Sequence, residues 1–221
     1  MNIDDLLSNL TEKNKLPKEN KVIEILERVQ EILFQENTIL YLDSKINVVG
    51  DTHGQFFDVI EILSNFPQEK YLFMGDYVDR GEVTTLSKIN WLYRFQEPGL
   101  LGAISDLVWS DPSDEVSEFM ISMRGSGYLF GKKPTKRFLH KNKLEVIFRS
   151  HFTEPSGHKW WFKKESKKNS YEGLLCTVWT APNYSYKVNN IGHYLKIQEN
   201  DQQLKEWITV EKSINDPYHF N

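Results

Sequence analysis

Two glycine-bracketed acidic runs each follow a short apolar segment. Gly50-Asp51-Thr52-His53-Gly54 comes directly after Ile46-Asn47-Val48-Val49, and Gly75-Asp76-Tyr77-Val78-Asp79-Arg80-Gly81 after Tyr71-Leu72-Phe73-Met74. In extended backbone, residues i and i+2 point to the same side, so Asp51 and His53 can reach one cation. The flanking glycines permit a sharp turn and close backbone approach. A carboxylate oxygen beside an imidazole nitrogen suits Mn, Fe or Zn better than Ca. The bland alternative is a turn capped by Asp51 with a surface His53. In an α/β sheet, ligands gather outside the carboxyl ends of parallel strands, where both runs would meet. Asp76 can then bridge two metals while Arg80 grips a phosphate through paired hydrogen bonds. The alternative there is a turn ion pair of Asp79 with Arg80. Two such runs on successive strands argue against coincidence.

Three further runs add side chains of the same kind. Arg149-Ser150-His151 offers an imidazole from the far half of the chain, and Arg124-Gly125-Ser126-Gly127-Tyr128 a guanidinium beside a flexible backbone. Ala181-Pro182-Asn183-Tyr184 places a phenol and an amide in a loop. Each alone is equally well read as structural. His140, His158, His193 and His219 have no ligand-like partners by spacing and read as surface or structural. Cys176 sits in an apolar strand run and reads as an inert core thiol.

The elements that must position these groups follow from periodicity. Residues 1–18 are polar. From Glu19, Val22, Ile25, Leu26, Val29, Ile32 and Leu33 recur at spacings of three and four, which predicts an amphipathic helix packed on a larger body. Residues 46–49 and 71–74 read as strands, with a helix from about Phe56 to Ser64 between them, hence a parallel βαβ unit. Strands at 145–149, 174–179, 192–197 and 205–210 suggest a more antiparallel second half. The Lys-rich stretch Lys159–Lys168 reads as a solvated loop, and Asp111-Pro112-Ser113-Asp114 as a polar turn. With no repeat, low-complexity tract or linker, residues 1–221 are expected to form one domain: a polar segment (1–18), a first βαβ half (19–81) and a C-terminal half (82–221).

Composition narrows the class. A chain of 221 residues, 39% hydrophobic and 26% charged, has the make-up of a folded globular protein. A net charge of −4 disfavours nucleic acid as a partner, and one cysteine excludes an internal disulfide framework. No stretch approaches the roughly 18 apolar residues of a membrane helix, so no membrane partner is expected. The N-terminus lacks the basic and apolar regions of a secretory signal. The expected location is the cytoplasm, with the nucleus also open.

Taken together, the runs resemble the phosphoprotein phosphatase family of metal-dependent serine/threonine phosphatases, closest to its type-2A-like branch. Gly50–Gly54 is similar to the family's G-D-x-H-G block and Gly75–Gly81 to G-D-x-V-D-R-G. Residues 105–112 resemble D-L-x-W-S-D-P, Arg124–Gly131 R-G-x-G-Y-x-F-G, Arg149–His151 R-x-H, and Thr180–Tyr184 S-A-P-N-Y. The match runs from about Val22 to about Ile197. The resemblance implies a calcineurin-like metallophosphoesterase β-sandwich flanked by helices, lacking part of its central region. It implies two divalent ions (Mn, Fe or Zn), with Asp51 and His53 on the first, Asp76 bridging, and His151 on the second. Arg80 and Arg124 would hold the substrate phosphate, with Tyr184 at the rim. In such enzymes a water bridging the metals attacks phosphorus in line. The implied partners are phosphoprotein substrates and the regulatory or scaffold subunits of type-2A-like phosphatases.

One departure is large. The chain has no G-N-H-E block, which should supply an Asn ligand and the general-acid His, and no H-G-G block, which should supply another His ligand. After Gly81 it passes to Glu82-Val83-Thr84-Thr85-Leu86, which resembles the segment after H-G-G-L-S-P in the family. A deletion on the order of 80–90 residues at 81/82 is therefore expected, a large share of a single core. Three readings are open: an active serine/threonine phosphatase, a pseudophosphatase that binds phosphopeptides or scaffolds without turnover, and a truncated product without function.

Overall fold

The computed structural model describes residues 17–37, 39–42, 45–53, 55–75, 99–164, 171–186, 188–197 and 205–211. The chain divides into two compact units, Met1–Leu40 and Tyr41–Asn221. In the first, α1 (Glu19–Gln35) forms where the three-and-four spacing predicts it. Lys21–Glu24 and Arg28–Glu31 pair along its surface one turn apart. None of its residues is buried, and Val22, Leu26 and Ile32 are all exposed.

In the second unit, β1 (Ile46–Val49), α2 (Phe56–Asn65) and β2 (Lys70–Phe73) build the expected βαβ, with β1 and β2 parallel and Val49 level with Phe73. β9 (Gly192–Ile197) pairs antiparallel with the other side of β1, and β10 (Lys205–Val210) with β9, giving a four-stranded sheet in the order β10-β9-β1-β2. The second sheet is β6 (Ile147–Arg149), β8 (Gly173–Val178) and β7 (His158–Lys163), in the order β6-β8-β7. Strand alternation sorts the core. Val49 and Tyr194 face α2 with Ile62, while Ile46, Val48 and Leu195, with Trp207 of β10, face the second sheet and its Phe148. On that sheet's outer side, Leu175, Trp161 and Phe162 pack against Leu139 of α4 (Lys132–Asn142). The layers therefore run helix, sheet, sheet, helix, which is the sandwich the resemblance implies.

The middle of the chain holds elements that periodicity did not reveal: α3 (Ala103–Trp109), the two-residue β3 (Asp111–Pro112), and the hairpin of β4 (Phe119–Ile121) and β5 (Tyr128–Phe130). These strands form a small sheet in the order β3-β5-β4. The solvated loop expected over Lys159–Lys168 is corrected in its first half. β7 is paired through His158–Lys163, and Lys159 lies over the Trp161 ring at 3.8 Å. His158 and His193 are structural, one of the two roles read for them: their Nδ1 atoms lie 3.0 Å apart and His158 stacks on Trp207. Cys176 is a buried free thiol, as read from the sequence.

Tyr194 carries a pH-dependent share of the fold. Burial pushes its phenol up to about 12, above the ordinary 10, so the folded state favours the neutral form. Its contribution is intact below pH 10 and lost as pH rises from 10 to about 12, worth about 2 kcal/mol over that window. The melting temperature should fall across pH 10–12, and Tyr194→Phe should flatten that fall. An unchanged fall in the variant would assign the alkaline transition to other groups.

Candidate active site

The site forms where the ends of β1, β6 and β8 converge. Gly50 makes this convergence possible: a Cβ there would stand 2.4 Å from the Val178 carbonyl oxygen, so only glycine lets β1 run so close to β8. The Gly50 N–H donates to Thr180 Oγ1 at 2.7 Å, and Asp51 forms a parallel bridge with Trp179. Asp51 is fully buried, and both of its carboxylate oxygens accept the His151 backbone N–H, at 2.9 and 2.8 Å. This contact spans one hundred residues and fixes the end of β6 against the end of β1.

His53 follows Asp51 in the left-handed region (φ 43°), with its Nε2 3.7 Å from Asp51 Oδ2. Its ring packs between Trp179 and Tyr184, at centroid distances of 5.1 and 4.8 Å. The loop carrying Tyr184 is held rigid by its polar neighbours. Asn190 accepts the Tyr184 N–H and donates to the Ala181 carbonyl, and Gln55 donates to the Pro182 carbonyl. His151 (φ 85°), Asn183 (φ 44°) and Ser185 (φ 55°) are also left-handed. With His53, the strained backbone of four non-glycine residues gathers at one place, as it does at functional sites.

Arg124 sits at the tip of the β4–β5 hairpin. Gly127 (φ 68°) seats that tip against α3, since a Cβ there would lie 2.7 Å from Trp109 atoms. From the tip, Arg124 Nη1 reaches His151 Nε2 at 2.6 Å and Nε approaches Asp111 Oδ2 at 3.5 Å. Arginine has no acceptor, so His151 Nε2 must accept, and its lone pair is directed at Arg124 in this arrangement. Arg149 Nη2 donates to Asp111 Oδ1 and to the Ser110 carbonyl, both at 3.1 Å. Burial pushes the Arg149 guanidinium down, and the Asp111 and Asp51 carboxylates oppose that shift.

The structure thus joins five of the seven site residues expected from sequence in one chain of contacts: Tyr184, His53, Asp51, His151 and Arg124. Asp76 and Arg80 lie outside the described residues, as does the 81/82 junction. Asp111 was missed. It read as part of a polar turn, yet it is the buried anion that Arg149 and Arg124 share. Its signal in the sequence was its place in the run 105–112, which resembles the D-L-x-W-S-D-P block. Trp179, which floors His53, was also missed.

A divalent ion is implied by the resemblance, and the donor set can be tested against it. Carboxylate and imidazole donors at 2.0–2.2 Å from one ion stand roughly 3–3.7 Å apart, as Asp51 Oδ2 and His53 Nε2 do. Each carboxylate oxygen keeps a lone pair beyond the His151 N–H bond. This pair therefore fits a shared cation. Among the described residues no group of three or more His, Cys, Asp or Glu is arranged around one ion.

Comparison with known proteins places this arrangement in context. The family model for calcineurin-like phosphoesterases matches residues 44–86. The chain is 29% identical over 283 residues to a protein phosphatase 2A catalytic subunit of Dictyostelium discoideum, covering 90% of this chain and 88% of that one. It is 26% identical over 299 residues to the serine/threonine-protein phosphatase 4 catalytic subunit of Saccharomyces cerevisiae, covering 97% and 92%. Both aligned lengths exceed the 221 residues of this chain, so at least 62 and 78 aligned positions, respectively, have no counterpart here. The fold matches a protein serine/threonine phosphatase structure from Saccharomyces cerevisiae, described as similar to human phosphatase PP5, with a TM-score of 0.79, 24% identity and full coverage of both chains.

Proposed function

Because the chain belongs to the phosphoprotein phosphatase family, we propose that its site recognises phosphoserine and phosphothreonine in proteins and hydrolyses the phosphate ester. The observation that carries this reading is the convergence of Asp51 and His53 with Arg124 across β1, β6 and the hairpin tip. Asp51 and His53 would hold a divalent ion, Mn, Fe or Zn by donor chemistry. The chemistry supplied there by such an ion is Lewis acidity and water activation. Arg124 is the phosphate ligand. It is about one-third exposed at the hairpin tip, and its guanidinium is steered by Asp111. Arg80 is proposed as its companion and Asp76 as a second carboxylate for metal. Tyr184 borders the site beside His53 and shields it from water on that side.

A second reading is favoured by two observations. The sequence lacks the G-N-H-E and H-G-G blocks, and the His151 lone pair proposed for a second ion is directed at Arg124. In this reading the chain binds phosphorylated segments, or the scaffold subunits of related phosphatases, with turnover greatly reduced. Loss of the general acid alone is typically worth about 10²–10⁴-fold in rate.

One experiment separates the readings. A phosphoserine peptide is incubated with the protein and Mn²⁺, and both phosphate release and peptide binding are measured. Metal-dependent release supports the phosphatase, while binding without release supports the second reading. In either case Arg124→Ala should weaken binding about 10- to 100-fold, since charge-assisted hydrogen bonds contribute about 1.5–3 kcal/mol. Unchanged binding in the variant would remove Arg124 from the site, and neither release nor binding would sink both readings.

A further inference from the structure

The strand that leads to Arg124 presents an exposed outer edge. β4 is the edge of the β3-β5-β4 sheet, and all three of its residues are exposed: Phe119 by 55%, Met120 by 50% and Ile121 by 76%. Met123, next to Arg124, is 97% exposed. The register fixes which backbone groups are free. Phe119 pairs with Phe130, Met120 with Leu129 and Ile121 with Tyr128. The flanking bonds run from the Gly131 N–H to the Glu118 carbonyl and from the Ser122 N–H to the Gly127 carbonyl. In an antiparallel ladder, bonded and non-bonded pairs alternate, so Glu118, Met120 and Ser122 turn their polar groups toward β5. Phe119 and Ile121 therefore turn their N–H and C=O groups outward, away from the sheet.

We propose that this free edge docks the main chain of the phosphorylated partner. An extended segment adds to β4 as a further strand, and its phosphate reaches Arg124 at the hairpin tip. The proposal rests on the reading of Arg124 as a phosphate ligand. An exposed edge strand is a template for another chain, and native proteins blunt such edges with charge, proline or a cover. Among the described residues β4 has none of these along Phe119–Ile121. The edge runs directly into the turn that carries the phosphate ligand, because Ile121 precedes Arg124 by three residues. Main-chain bonding to Phe119 and Ile121 provides affinity with little sequence demand. Specificity comes from apolar side chains that alternate along the partner and cover Phe119 and Ile121 on one face and Met120 on the other. A second copy of this chain is a poorer occupant. Three residues present far less than the roughly 800 Å² per partner of a stable interface.

The test uses fluorescence anisotropy with the full chain and phosphoserine peptides of equal length. One has alternating Val and Thr flanks, and one has Gly and Ser flanks. The Val/Thr peptide should bind about tenfold more tightly, equivalent to about 1.4 kcal/mol. N-methylation of one alternate set of its amides should abolish that gain, and of the other set leave it, because only one set faces β4. Ile121→Pro, which removes an outward N–H at an edge position where proline is tolerated, should also abolish the gain. The N-methyl peptides keep the test independent of how that variant folds. Equal affinity of the two peptides, or equal effects of the two N-methyl sets, overturns the proposal. So does sedimentation as a dimer that the Val/Thr peptide cannot compete away. Competition by inorganic phosphate reports on Arg124 separately. If phosphate fails to compete while the N-methyl pattern holds, strand docking stands and the phosphate reading falls.

Discussion

Gly50→Ala should lower the melting temperature by about 6–12 °C. The methyl group would stand 2.4 Å from the Val178 carbonyl oxygen, 2.9 Å from its carbon and 3.1 Å from Thr180 Oγ1. None of these is the far end of a flexible side chain, so β1 or β8 must shift. Inserting a methyl into a packed core costs about 1–3 kcal/mol where side chains can adjust. Here the strands would have to part, stretching the 2.7 Å bond from the Gly50 N–H to Thr180 Oγ1. A total of about 3 kcal/mol, at about 2–4 °C per kcal/mol for a domain of this size, gives the expected shift. Because Asp51 is the next residue, metal affinity should fall with it. A thermal melt with and without Mn²⁺ checks both effects. A variant that melts like the parent would show that the two strands are held apart in solution.

Asp51 should separate folding from metal binding. Asp51→Asn keeps an oxygen to accept the His151 N–H but removes the charge, so the melt should change little while Mn²⁺ affinity falls by more than about 100-fold. Even residues that merely support a metal ligand are typically worth 10–100-fold, so a lost ligand should exceed that. Asp51→Ala should lose both. The His151 N–H is left without an acceptor, costing about 1–3 kcal/mol on top of the metal loss. Calorimetric titration with Mn²⁺, beside thermal melts of the two variants, reads the pattern. Parental metal affinity in Asp51→Asn would place the ion elsewhere, whereas equal stability of the two variants would deny the anchoring role of the carboxylate.

The proposed docking of a partner on β4 bears on what the missing positions mean. Relatives carry at least 62 aligned positions that this chain lacks, and the described part nonetheless keeps two sheets packed between α2 and α4. The proposed metal pair, Asp51 and His53, and the proposed phosphate ligand, Arg124, lie at the end of β1 and at the β4–β5 hairpin tip, within this described part. On the proposed reading, recognition of a phosphate would need only elements the chain possesses. In the second reading proposed above, turnover is the property that the absent G-N-H-E and H-G-G blocks would remove.

The amino-acid sequence by itself determined the βαβ unit and the residue types of the candidate site. Ile46–Val49 is β-branched and ends at a glycine, and the apolar residues of 56–65 recur with helical spacing, so local preference and burial agree there. Asp51, His53, Arg124, His151 and Tyr184 were legible as candidates because each lies beside a strand end or a glycine-rich turn and because the runs occur together; no run taken alone separated a ligand from a plain structural residue. Tertiary structure decided what local pattern cannot carry. β7 hid among lysines because Lys159 extends over Trp161, and because a left-handed Phe162 (φ 57°) breaks strict alternation, sending Trp161 and Phe162 into the same cluster. The pairing of His158 with His193 joins residues 35 apart in sequence, across two sheets. Asp111 gained its role only when β6 carried Arg149 and His151 beside it and the hairpin brought Arg124. A carboxylate at the start of a turn has no partner until the fold supplies one, and the cost of burying its charge is met by guanidinium groups that lie 13 and 38 residues farther along the chain.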